Sequence, residues 1–106
     1  MTERRESDSW MENDLTVGSG ATESKILSVP GGDKVTGIVD RASSYDINLV
    51  WISNDESTDI NTESVATGAT GATEFSEEFH SAQNVRVEVT DASSSSDTAD
   101  ITVNAR

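Results

Sequence analysis

The side chains that could carry chemistry are few, and their spacing decides against most reactions. The single histidine, His80, follows Glu77 and Glu78 closely. Those carboxylates are the partners a metal site would need, but nothing fixes a convergent geometry, and a structural or solvent-facing histidine is expected. Asp55, Ser57, Asp59 and Asn61 fall at the 1-3-5-7 spacing of a calcium loop. Ile60 then stands where the turn glycine belongs, and Ala66 where the bidentate glutamate belongs, so at most a weak cation site between loops remains. Serines and aspartates abound, yet no G-x-S-x-G elbow occurs and nothing places an oxyanion hole. The adjacent acids Asp55-Glu56 and Glu77-Glu78 read as solvated surface and not as a glycosidase pair. No N-x-[ST] sequon is present. The expectation is a non-enzyme with no catalytic, cofactor-binding or metal-binding residues.

Charge narrows the partners. The 106 residues carry 20 Asp and Glu against 7 Lys and Arg, a formal charge of −13 and a pI near 4.1. A phosphate-neutralising surface needs clustered Lys and Arg, so nucleic acid is not an expected partner. An anionic membrane surface is disfavoured for the same reason. No apolar run approaches the roughly 20 residues of a spanning helix, so membrane insertion is not expected. The N-terminus is too polar for a signal-peptide core. Cysteine is absent, which removes disulfides and thiolate metal sites. Hydrophobic content is 33%. Such a composition suits either disorder or a folded domain adapted to molar salt, where the Debye length falls to about 3 Å and carboxylates barely repel. Regular alternation and two tryptophans favour the folded, halophilic reading.

The elements that would hold these residues are strands. Val85, Val87 and Val89 alternate with Arg86, Glu88 and Thr90. Ile101, Val103 and Ala105 alternate with Thr102, Asn104 and Arg106, and the serine-rich stretch between the two runs makes a hairpin. Further strands are expected at 24–29, 34–40, 45–53 and 59–67. Phe75 and Phe79 fit one helical face as well as alternate strand positions, and 74–80 is expected as a strand or irregular crossover because β chemistry surrounds it. Pro30-Gly31-Gly32-Asp33, 41–44, 54–58 and the small-residue stretch 68–73 separate them as turns and loops. About seven short strands without a convincing long helix read as an all-β antiparallel β-sandwich, immunoglobulin-like or jelly-roll-like. Residues 21–106 would be that sandwich domain and residues 1–20 an N-terminal arm.

Two places offer apolar surface for a partner. Trp10, Met11 and Leu15 stand close together in the expected arm, where Trp10 either caps the domain's own core or anchors in a neighbouring subunit. In the 45–53 strand, Ile47, Leu49 and Trp51 share one face, while Val50 and Ile52 lie on the other. A strand apolar on both faces is central or meets another chain. Trp10, Met11, Leu15, Val50 and Ile52 are therefore the expected contact residues.

The body from 18 to 106 resembles the small acidic β-sandwich structural proteins of haloarchaeal viruses and proviruses. The resemblance is carried by V-D-R at 39–41, Y-D-I-N-L-V-W at 45–51 and V-T-D-A-S-S-S-S-D-T-A-D-I-T-V at 89–103. It implies a capsid-stabilising, decoration or spike-base protein, located in the virion and assembled in the host cytoplasm. Its partners would be capsid or other virion proteins, with a homo-oligomer expected. The alternative is a receptor- or carbohydrate-binding surface module of a spike or tail. That reading needs exposed aromatics, and the chain has only five.

Overall fold

The computed structural model describes residues 8–29, 34–53, 56–78 and 84–105. They form six strands: β1 (Asp8–Val17), β2 (Thr22–Ser28), β3 (Lys34–Ile52), β4 (Asp59–Glu78), β5 (Asn84–Asp91) and β6 (Asp97–Ala105). All pairings are antiparallel and all six strands belong to one sheet. The expected turn at 30–33, Asp55, Phe79 and His80 lie outside the described residues.

The sheet is built on the β3–β4 hairpin. A straight 19-residue strand would run roughly 60 Å, yet the molecule measures 44 Å along its longest axis. The hairpin therefore bends. The bend lies where Arg41 pairs with Gly71 but Tyr45 pairs with Ala69, so β3 inserts extra residues opposite β4. Gly71 takes a left-handed φ of 75° there, a conformation open to glycine without steric cost. Pairing continues on both sides of the corner. The loops expected at 41–44 and 68–73 are consequently parts of strands, and four expected strands become two. In place of seven strands in two sheets, one six-stranded sheet curls into a half-barrel.

The bend divides the sheet into two wings. In the first, residues 35–40 of β3 pair with β6, and β6 pairs with β1. In the second, residues 45–52 pair with β5, and β5 pairs with β2. β4 borders β3 in both. The inner faces meet in one core: Trp10, Val35, Val39, Phe75, Ile101, Val103 and Ala105 come from the first wing, and Leu27, Ile47, Leu49, Trp51, Val85, Val87 and Val89 from the second. The valine, leucine, isoleucine and phenylalanine side chains among them contribute about 1.5–3 kcal/mol each when fully buried. The register aligns Trp10, Val103, Gly37 and Phe75 in one row. A Cβ on Gly37 would lie 2.8 Å from Phe75 Cζ and 2.9 Å from the Thr102 carbonyl oxygen, so glycine leaves room for the ring.

Residues 8–17, expected within an arm, are a strand of the sheet. Their alternation is hidden by a bulge. Glu12 pairs with Ile101 and Leu15 with Ala99, so β1 advances three residues while β6 advances two. Asp14 sits in the bulge at φ 56°, and its amide donates to the Asp100 carboxylate at 2.9 Å. Trp10 and Leu15, five residues apart, can then both turn toward the core, which simple alternation forbids.

Candidate interaction surfaces

The five expected contact residues are not gathered in one patch. Trp10 is 4% exposed, inside the chain's own core, and its indole N–H donates to the Glu12 carboxylate at 3.2 Å. Leu15 packs half-buried against that core. Met11, on the opposite face of β1, is 68% exposed. Val50 and Ile52 do lie on the outward face of the second wing, yet both are buried.

The register gives a physical reason for that burial. Val50 pairs with Arg86 on β5 and with Thr62 on β4. Arg86 Nε donates to Glu88 at 2.8 Å, and its Nη2 reaches Asp59 on β4 at 3.4 Å. To span from β5 to β4 the side chain must cross β3 near Val50 and Ile52, so its aliphatic stem covers apolar surface while its charge stays at the water. The Glu88 hydrogen bond is also the main reason the guanidinium holds its proton more tightly than usual.

The aromatic side chains among the described residues, Trp10, Tyr45, Trp51 and Phe75, are all buried. No aromatic platform for a sugar is formed by them. Tyr45 instead pins the bend: its hydroxyl lies 2.9 Å from the Val39 carbonyl, 2.7 Å from the Gly71 carbonyl and 2.7 Å from Thr73 Oγ1. Burial raises its pKa. The Trp51 indole donates to Glu63 at 2.8 Å.

The feature that sequence reasoning missed is a buried ion pair at the corner of the hairpin. Arg41 Nη1 donates to Asp91 Oδ1 and to the Ser44 carbonyl, each at 2.8 Å. Its Nη2 donates to the Val17 carbonyl at 3.2 Å and the Ser95 carbonyl at 3.1 Å. Asp91 accepts from the amides of Gly20, Ser93 and Ser94 and from the Ser93 hydroxyl. Asp97 accepts from the Ser43 amide and hydroxyl. One guanidinium therefore joins the end of β1, the bend of β3 and the β5–β6 loop. The Gly20 amide, the Ser93 hydroxyl and Arg41 hold the Asp91 carboxyl well below the usual carboxylate range. Ser43 and the Thr98 amide lower Asp97 in the same direction. A buried pair of this kind is weak as net stability but specific as register. V-D-R at 39–41 and V-T-D at 89–91 are its sequence traces, but nothing in either marks the other as partner.

Among the described residues no group of three His, Cys, Asp or Glu converges to hold a metal ion. Asp59, from the calcium-like spacing, is engaged with Arg86. No helix of the described residues is long and apolar enough to cross a membrane.

The outward face of the first wing differs from that of the second. Cross-strand pairing sets out two rows, Ser9–Asn104–Thr36 and Met11–Thr102–Ile38. None of these six side chains is charged. Ile38 is 36% exposed. A cleft of about 120 Å³ opens beside them at the β1 bulge, lined by Met11, Glu12, Asn13, Ile101 and Thr102.

No protein-family model and no curated protein matches the sequence. Solved structures share the fold. The VP2 protein of the infectious bursal disease virus subviral particle aligns with 98% of this chain at TM-score 0.68 and 14% identity, over 33% of its own length. A chain of the T13 particle of the same virus aligns with 95% at TM-score 0.67 and 15% identity, over 31% of its length. The Yersinia pseudotuberculosis-derived mitogen aligns with 95% at TM-score 0.52 and 9% identity, over 86% of its length. At these identities the likeness is one of fold alone. The chain spans about a third of the length of the viral chains it matches. It is similar in fold to a module found inside a viral-particle protein.

Proposed function

We propose that this chain is a structural, non-enzymatic component of a virion that works through protein–protein contacts. The observation that carries the proposal is the fold shared over 98% of the chain with VP2 of a viral particle. The internal chemistry supports it: the buried polar groups at the bend are used to hold strands and loops together, and the described residues assemble no reactive constellation. The role is that of a capsid-stabilising, decoration or spike-base element. Its partners are capsid or other virion proteins, further copies of itself included, with neither nucleic acid nor membrane insertion involved. The charge of −13 fits a halophilic archaeal host, because molar salt screens repulsion between acidic partners.

The test is quantitative mass spectrometry of particles purified in high salt, with labelling in electron micrographs. A fixed copy number relative to the major particle protein is expected. Absence from purified particles overturns the assignment. Full stability of the chain in salt-free buffer would sink the halophilic part alone.

A further inference from the structure

We propose that the outward face of the first wing is a self-association surface, on which two copies of this chain meet across a twofold axis with Ile38 of each seated in the cleft beside Met11 of the other. This rests on the reading that the chain acts through protein contacts, and not on its place in a virion.

Three observations carry it. First, Ser9, Met11, Thr36, Ile38, Thr102 and Asn104 form an uncharged patch on a chain of net charge −13. Depletion of charge with an exposed methionine marks the centre of an interface. Second, the surroundings select the partner. Asp40 and Asp100 face each other beside the patch, Glu74 pairs with Ile38 at its other side, and Lys25 Nζ donates to the Ser9 carbonyl at 3.3 Å on the β1 margin. A second acidic copy can approach closely only where free carboxylates are few, and the one carboxylate that lines the cleft, Glu12, is engaged by the Trp10 indole N–H. Third, knob and hole share one face. Ile38 is 36% exposed on β3, and the cleft of about 120 Å³ lies between β1 and β6, with exposed Met11, Asn13 and Thr102 and half-buried Glu12 among its walls. The two are roughly 5–10 Å apart at ordinary strand spacing. A twofold rotation sends each knob into the other copy's hole, which is how a self-complementary patch works. Six side chains make less than the roughly 800 Å² per partner of a standard interface, so a weak dimer is expected.

Salt gives the proposal its signature. Two copies of charge −13 repel at low ionic strength, and screening removes the repulsion while leaving apolar contact intact. The experiment is sedimentation equilibrium of the full chain from about 0.2 to about 3 M KCl. The association constant should rise by about tenfold or more over that range. Ile38→Glu and Met11→Glu should abolish association at every salt concentration. Ile26→Glu is the matched control: Ile26 is 38% exposed, but on the second wing beside Arg86, and its substitution should leave the dimer intact. Far-UV circular dichroism at each salt verifies folding. Concentration-dependent amide shifts of the unmodified chain, expected at residues 9, 11, 36, 38, 102 and 104, test the surface without any variant.

A chain that stays monomeric in molar salt overturns the proposal. So does association that weakens with salt, or association lost in Ile26→Glu and kept in Ile38→Glu. Presence in particles without self-association would leave the virion role standing and remove this surface. Self-association through this face in a chain absent from particles would do the reverse.

Discussion

On the second wing, Arg86 reaches from β5 across β3 and joins Glu88 to Asp59, and Val50 and Ile52 beneath it are 3% and 1% exposed. On the first wing, Met11 and Ile38 flank Thr102 and stand 68% and 36% exposed. The two wings share one sheet and one core. The outward apolar residues differ in what stands on the strand beside them. An arginine is long enough to lie over an adjacent valine and carry its charge to the water, whereas threonine covers almost nothing beyond its own position. Ile26, on the other side of Arg86, stays 38% exposed, because the guanidinium reaches toward Asp59 on β4 and leaves β2 uncovered. The direction in which a long neighbour lies, more than the hydrophobicity of the residue itself, decides whether an outward-facing aliphatic becomes available surface.

The largest expected effect lies at the bend that joins the wings. Arg41→Met would leave Asp91 buried without its cation and several carbonyls without their donor. Breaking a buried pair in this way costs about 3–5 kcal/mol. Thermal unfolding followed by circular dichroism should show a midpoint lower by more than roughly 10 °C. Hydrogen exchange of the same variant asks whether the wings still open together, and separate opening would break the picture of one shared core.

Within the first wing, Gly37→Ala would press a methyl against Phe75 and the Thr102 carbonyl. Overpacking of this kind costs about 1–3 kcal/mol. Urea titration should register it, and an unchanged midpoint would mean that the tight row from Trp10 to Phe75 can relax.

Acid probes the bend without mutation. The Asp91 and Asp97 carboxyls titrate below the ordinary range when folded. A folded pKa depressed below the unfolded value near 3.9 contributes stability above that value, and the contribution disappears as pH falls through the folded pKa. Stability should therefore hold from about pH 5 upward and decline below about pH 4. Molar salt should not remove the decline, because a buried pair is poorly screened. A urea midpoint independent of pH below 4 would contradict it.

The smallest effect on stability, and the sharpest test of the contrast, belongs to Arg86→Ala. A partly exposed ion pair contributes about 0.2–1 kcal/mol, so the fold should persist. Val50 and Ile52 should become accessible, and a second mode of association should emerge in molar salt by sedimentation. If self-association is unaltered, the arginine is not what keeps this wing from docking.

Much of the architecture was legible because strand periodicity is local. Val85, Val87 and Val89, with Ile101, Val103 and Ala105, announce their inward face by alternation alone, and all six are fully buried. Ile47, Leu49 and Trp51 do the same. The first strand was illegible because one extra residue at the bulge shifts the phase between Trp10 and Leu15. The long strands look like pairs of short ones in the sequence because Ala-Thr-Gly and Arg-Ala-Ser-Ser have loop chemistry, although here they turn a corner without leaving the ladder.

By itself the sequence determined an acidic, cysteine-free, all-β chain and the inward face of most of its strands, because charge and alternation are properties of residues and their immediate neighbours. Only the tertiary structure decided which outward residues remain available. Arg86 lies 36 positions from Val50, Asp91 lies 50 from Arg41, and Thr102 lies 64 from Ile38. Pairings over such separations are set by how a bent sheet closes on one core, and no local pattern encodes them.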